Sequence, residues 1–140
     1  MSDRIFKHSL SLGLIIVLTK IGEAVKYKGD NKIHMQGDLA LTNTEFGNYQ
    51  KLRYWGLIAK YKDENGHHEK GFWLLTRNGA LFLKNQLSIH KSIKTQDNHV
   101  IERDIEEIKI SDIWKDYHQE KWQEYFEGSP IEQKQLVMSL

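Results

Sequence analysis

A chain of 140 residues with 39% hydrophobic side chains has enough apolar material for one domain whose core buries roughly two-thirds of the unfolded surface, which excludes disorder of the whole chain. It contains no cysteine, so a disulfide framework and a thiolate zinc site are both excluded, and a reducing cytoplasm is the expected compartment. The net charge of +1 conceals an asymmetry, since residues 1–95 carry 15 Lys+Arg against 8 Asp+Glu and residues 96–140 carry 5 against 11; this suits an anionic partner for the basic part, or an acidic tail folded back on it.

The first apolar run, "LSLGLIIVL" at residues 10–18, falls short of the roughly 18–20 residues that a membrane span needs, so no membrane partner is expected. Arg4 and Lys7 ahead of it resemble the start of an export signal. No small-residue cleavage pattern follows, however, and Lys20 and Glu23 continue a helical rhythm. Leu10, Leu14, Val17, Leu18 and Ile21 recur at spacings of three and four, predicting a core helix over about residues 5–25.

After the polar turn "KGDNK", the stretch "IHMQ" predicts a short strand, and "KYKGDNKIHMQGDLAL" as a whole shows little sign of a full second helix. Thr42 and Glu45 then form a capping box, in which the hydroxyl accepts from the Glu45 N–H while the carboxylate reaches back. A helix over about residues 43–55 follows. On a 100° wheel Glu45, Tyr49, Leu52 and Gly56 share one side, with Phe46 and Arg53 at its edge. The other side presents Asn43, Gly47, Gln50, Lys51 and Tyr54, groups of the kind that reach base edges beside a glycine that permits close backbone approach. An ordinary solvated face is the plainer account of the same residues.

Gly56 closes this helix as a C′ residue. "LIAKYK" alternates Ile58, Lys60 and Lys62 against Ala59 and Tyr61, "DENGHHEK" carries an Asn-Gly turn signal, and "GFWLL" returns as a second strand. A hairpin over residues 57–75 is predicted. Thr76 caps a further helix through about residue 85, with Ala80, Leu81, Phe82 and Leu83 packed inward.

Helix, short strand, capped helix, two-stranded wing and a second capped helix, in that order over about residues 5–86, resemble the winged helix-turn-helix superfamily. Leu52, Gly56, Leu57 and Ile58 match the Leu-x-x-x-Gly-Leu-Ile close of its recognition helix. Leu75, Thr76, Gly79, Phe82 and Leu83 match the Leu-Thr-x-x-Gly-x-x-φ-Leu helix start that follows its wing. "FGNYQKLRYWGLI", "GFWLLTRNGALFL" and the later "IHKSI" and "NHVI" are also similar to a group of small bacterial and phage-encoded winged-helix proteins. Some of that group carry a cysteine metal knuckle before the recognition helix, which this chain lacks.

The resemblance implies an α+β fold with a winged helix-turn-helix core and double-stranded DNA as partner. In such proteins cations contact phosphates and the exposed helix face reads bases. Here it implies DNA contacts from Asn43, Gln50, Lys51 and Tyr54 on the helix, from Lys62, His67, His68 and Lys70 on the wing, and from Arg77 and Lys84 at its flank. A transcriptional regulator is the expected role; the alternative is a winged-helix module that docks another protein and touches no nucleic acid.

In the last third, "SIHKSIKT" and "HVIE" flank "QDN" and predict a second hairpin with Ile89 and Ile93 facing the core. "SDIWKDYHQEKWQEYF", residues 111–126, predicts an amphipathic helix. Its Ile113, Trp114, Tyr117, Tyr125 and Phe126 would pack on the body or on a second copy of the chain, making a homodimer. Opposite them Asp112, Asp116, Glu120 and Glu124 would form a stripe of like charges that costs roughly 0.2–0.5 kcal/mol per pair. "EGSP" reads as a helix stop with a tail after it, giving the divisions 1–86, 87–128 and 129–140.

No enzyme signature is found: there is no G-x-S-x-G, H-E-x-x-H, phosphate loop or cysteine nucleophile. Glu102, Asp104, Glu106 and Glu107 in "ERDIEE" could make an acid/base pair, but read as local charge on an exposed turn. His67 and His68, adjacent in a loop tip, are poorly arranged for a closed metal site, so neither metal nor cofactor is expected.

Overall fold

The structure, a computed structural model, describes residues 4–122 as an α+β fold of small antiparallel sheets around one long helix. The helix predicted over residues 5–25 divides in two: Ile5–Ser9 is strand β1 and Leu12–Lys28 is helix α1. Ser11 makes the division, its backbone extended and its hydroxyl accepting from the Leu14 N–H at 3.3 Å, as an N-cap does. The C-terminus of α1 is closed by Gly29 at φ +71, whose N–H donates to the Val25 carbonyl. Leu14, Ile15, Val17, Leu18, Ile21 and Val25 are buried, so the run that reads as a short apolar segment is the centre of the core. No helix among the described residues is long and apolar enough to cross a membrane.

Strand β2, Lys32–His34, overlaps the expected "IHMQ" at Ile33 and His34, while Met35 and Gln36 lie in the turn that follows. It pairs with β4, His68–Leu75, which pairs with β3, Ile58–Lys62, giving the antiparallel order β2-β4-β3. Ile33, Trp73 and Lys60 stand opposite one another across it. The tip of the β3–β4 hairpin is tied by Asp63, whose Oδ1 accepts the N–H groups of Asn65 and His67, both at 2.9 Å. Gly66 at φ +80 completes a three-residue loop, one residue longer than the Asn-Gly pair alone suggests.

Between β2 and the capped helix, residues 35–38 form a turn instead of a helix. Support comes from α1, whose Lys20 ammonium donates to the Ala40 carbonyl at 3.3 Å and to Glu45 at 2.7 Å. The capping box is formed: the Glu45 N–H donates to the Thr42 hydroxyl at 3.1 Å and the Thr42 N–H to the Glu45 carboxylate at 2.8 Å. The helix itself departs from expectation. Only Asn43–Asn48 is α-helical, as α2, and Tyr49–Trp55 tightens into a 3₁₀ helix that ends at Gly56, φ +74. Tyr49 and Leu52 on it are buried.

Helix α3, Arg77–Leu83, starts at Thr76, whose hydroxyl accepts from the Gly79 N–H at 3.1 Å and donates to the Gly56 carbonyl at 2.6 Å. One side chain thus caps one helix and fastens it to the end of another. The C-terminal third adds β5 (Ile89–His90), β6 (Ser92–Gln96), β7 (His99–Arg103) and β8 (Glu107–Ile108). The predicted hairpin is β6–β7, turning at Asp97 and Asn98, both at positive φ, the geometry of a type I′ turn. Ile89 and Ile93 are buried. On its other edge β6 pairs with β1, Phe6 opposite Thr95 and Ser9 opposite Ser92. The N-terminal strand therefore belongs to the C-terminal sheet.

The helix predicted over 111–126 is not continuous. Helix α4 covers only Ile110–Ile113, because Trp114 adopts an extended conformation (φ −110, ψ 92). Asp112, Asp116 and Glu120 consequently form no stripe, and Asp112 instead accepts the Lys109 N–H at 2.7 Å. Ile113, Trp114 and Tyr117 pack on the core of the same chain. The Tyr117 hydroxyl donates to the Leu83 carbonyl at 2.5 Å, and burial pushes its phenol far above the usual tyrosine range. Glu124, Tyr125, Phe126, the "EGSP" stop and the tail lie outside the described residues.

Glu45 makes a pH test of this architecture. The Lys20 ammonium, then the Thr42 N–H, hold its carboxyl below the ordinary value of 4.5. Its contribution to stability is therefore present above that value and is lost as pH falls through the depressed folded one. Glu45→Gln is expected to lower Tm near neutral pH, with the gap from wild type closing as the pH is taken to 3. A gap of constant size would show that the carboxylate charge plays no part.

Candidate nucleic-acid interface

A groove of about 480 Å³ runs between the helical segment and the wing. Its helical wall is Phe46, Tyr49 and Gln50, and its wing wall includes Lys60, His68 and Lys70. The floor is aromatic: Tyr49 meets Trp73 edge-on at 5.5 Å between ring centres, and the Lys60 ammonium lies 6.0 Å over the Trp73 ring. His34 closes one end. Its Nδ1 accepts from the Gln36 and Gly37 N–H groups at 3.2 and 2.8 Å, an arrangement that requires a neutral ring with its proton on Nε2. Gly71, at φ +83, allows that ring to approach, because a Cβ there would stand 2.7 Å from His34 Nε2.

Charge in the groove is mainly cationic. Lys60, Lys62 and Lys70 form no ion pair among the described residues, whereas the one lining carboxylate, Glu69, is held by Lys32 at 2.8 Å. Lys32 is in turn seated over the rings of Tyr61 and Phe72 at 4.2 and 4.6 Å, and the Glu69 hydrogen bond raises its pKa. Glu69 is thereby neutralised by a neighbour on the same sheet.

The structure brings together Gln50, His68 and Lys70 of the ten residues expected to contact DNA, with Lys62 and His67 exposed on the same hairpin. His67 lies 3.9 Å from Asp63. Asn43 and Arg77 are exposed at the first positions of α2 and α3, away from the groove lining. Lys84 requires correction: it is only 4% exposed, with its N–H donating to the Ala80 carbonyl, and a buried ammonium cannot serve as a flanking phosphate contact.

Lys51 and Tyr54 are turned away from the wing. On an α-helix residues 50 and 54 stand about 40° apart, but on a 3₁₀ helix they diverge by about 120° while residues 51 and 54 eclipse. Tyr54 accordingly stacks on His8 of β1 at 5.2 Å, with its hydroxyl 3.5 Å from the Asn98 side chain. Lys51 lines a separate recess with Lys7, His8 and Asn48. Burial, followed by the Lys51 charge, holds His8 below its usual pKa of 6.5, and its Nε2 lies 2.9 Å from the Thr95 hydroxyl.

Three groove residues escaped the sequence reading as contacts. Lys60 was visible only as a strand position alternating with Ile58, Phe46 only as the edge of a helical wheel, and His34 only as part of a short strand. None carries a local signal, because the groove exists only once β2, β4 and the 3₁₀ helix are packed together. Among the described residues no group of three or more His, Asp or Glu is arranged to hold a metal ion. No protein-family model, curated protein or solved structure matches the chain.

Proposed function

We propose that this chain is a small cytoplasmic winged-helix protein that binds double-stranded DNA, in the manner of a transcriptional regulator, through the groove between its helical segment and its β3–β4 wing. The carrying observation is that Gln50, with donor and acceptor, faces Lys60 and Lys70, cations with no carboxylate of their own among the described residues. The order α1, β2, capped helix, β3, β4, with β2 on the β4 edge, supports the same reading. Phosphate contacts by Lys60, Lys62 and Lys70 supply affinity, and Gln50 supplies base contact.

Titration with duplex DNA at two salt concentrations tests this. Affinity is expected to fall as salt rises, and Lys60→Glu with Lys70→Glu should lower it by tenfold or more and reduce the log–log salt slope by about two. Binding indifferent to salt, or unchanged in the double variant, overturns the proposal. A second reading, docking of another protein, is favoured by Phe46, which is 45% exposed at the groove wall. Under it, DNA affinity is absent from wild type and variant alike.

A further inference from the structure

The other side of the 3₁₀ helix faces a second, open cavity of about 660 Å³, bounded by the start of α3 and the C-terminal sheet. That volume lies in the range, roughly 300–1,000 Å³, of sites that hold small organic molecules. Part of its lining is apolar: Ala59, Leu87 and Val100 are partly exposed there, over the buried Ile58 and Ile93. Arg53 from the 3₁₀ helix and Arg103 from β7 also line it.

Neither arginine has an acidic partner among the described residues. The Arg53 guanidinium donates to the Tyr54 hydroxyl at 3.4 Å and lies 5.1 Å from the centre of that ring. The single lining carboxylate, Glu107, is already engaged, accepting from the Ser88 hydroxyl at 2.9 Å and lying 4.0 Å from His90 Nδ1. Asn78 and Asn98 add amide groups from α3 and the β6–β7 turn. Two guanidinium forks, neither paired with a carboxylate, in a cavity partly lined by apolar side chains suit an anion presenting two coplanar oxygens on an apolar body.

We propose that this cavity binds a small aromatic carboxylate, its ring on the partly exposed Ala59, Leu87 and Val100 and its carboxylate held by Arg53 and Arg103. The site is separate from the groove, and the inference does not depend on DNA binding. Trp55 reports on it, because its indole N–H donates to the His90 carbonyl at 2.7 Å in the cavity wall.

Titration of the ¹⁵N-labelled full chain with 2-naphthoate, and separately with uncharged 2-naphthamide, tests the proposal by NMR. Saturable shifts are expected at the Trp55 indole and at the Asn78 and Asn98 side-chain amides, with the amide ligand binding about tenfold more weakly. Arg103→Gln should weaken 2-naphthoate by about tenfold and leave 2-naphthamide unchanged; Arg103 is exposed, so the fold should tolerate the change, and Arg53→Gln provides a second reading of the same effect. Equal affinity for the two ligands, shifts clustered elsewhere, or no shift at millimolar ligand overturns it.

Discussion

Gly79→Ala is expected to destabilise the protein by about 3 kcal/mol, at the upper end of the cost of forcing a methyl into a packed site. The sign of the effect is itself informative, because alanine is favoured over glycine inside a helix by about 1 kcal/mol, and propensity alone would make this change stabilising. Position 79 lies on α3, where an added Cβ would drive into the carbonyl oxygen of Leu57 and stand 2.6 Å from Leu75 Cδ1. That carbonyl cannot retreat freely, since it accepts the Thr76 N–H at 3.2 Å and so joins the base of the wing to the start of α3. Thermal and chemical unfolding of the variant decides the matter, and a rise in Tm would show that the backbone yields. The glycine of the Leu-Thr-x-x-Gly pattern has here a physical reason: it is where α3 crosses the wing at backbone contact.

Trp122→Ala is expected to cost about 3–5 kcal/mol, the range for removing a fully buried large aromatic. Trp122 is 0% exposed, and its ring lies against α1 at Gly22, where a Cβ would come within 2.8 Å of the indole and 2.7 Å of Leu83 Cδ1. Glycine and tryptophan are thus shaped to each other. Gly22→Ala should therefore be costly beside Trp122 and less costly in the Trp122→Ala background, where only the contact with the Leu83 methyl remains, a coupling that a double-mutant cycle measures by denaturant unfolding. Additive effects would mean that the two residues do not meet, and a loss under about 1 kcal/mol for Trp122→Ala would mean that residue 122 is not docked at all.

Trp122 also shows how partial the sequence reading was. The amphipathic helix read over residues 111–126 placed Trp114 and Tyr117 inward and did not name Trp122, which at about 100° per residue falls between Tyr125 and Phe126 on the same side. The chain is extended at Trp114, so that angular relation does not hold, and the residue left unnamed is the most deeply buried aromatic among the described residues of the segment. Residues 5–9 failed for a related reason. Ile5, Phe6 and Leu10 fit a helix that continues into α1 as well as they fit a strand, and the pairing that decides it is with Ser92–Gln96.

Legible in the residues alone is what closes within three or four positions: the Thr42–Glu45 box, the Thr76 cap, the glycine stop at 56, and the β3–β4 and β6–β7 turns. Donor, acceptor and the required φ all lie in one short stretch there, so residue identity is sufficient. The tertiary structure alone decided that Tyr49–Trp55 winds as 3₁₀, that Gln50 joins the wing while Lys51 and Tyr54 face β1, and that Lys84 is buried. Those outcomes depend on packing between elements far apart in the chain, whose free energies of several kcal/mol outweigh the few tenths by which local preferences differ.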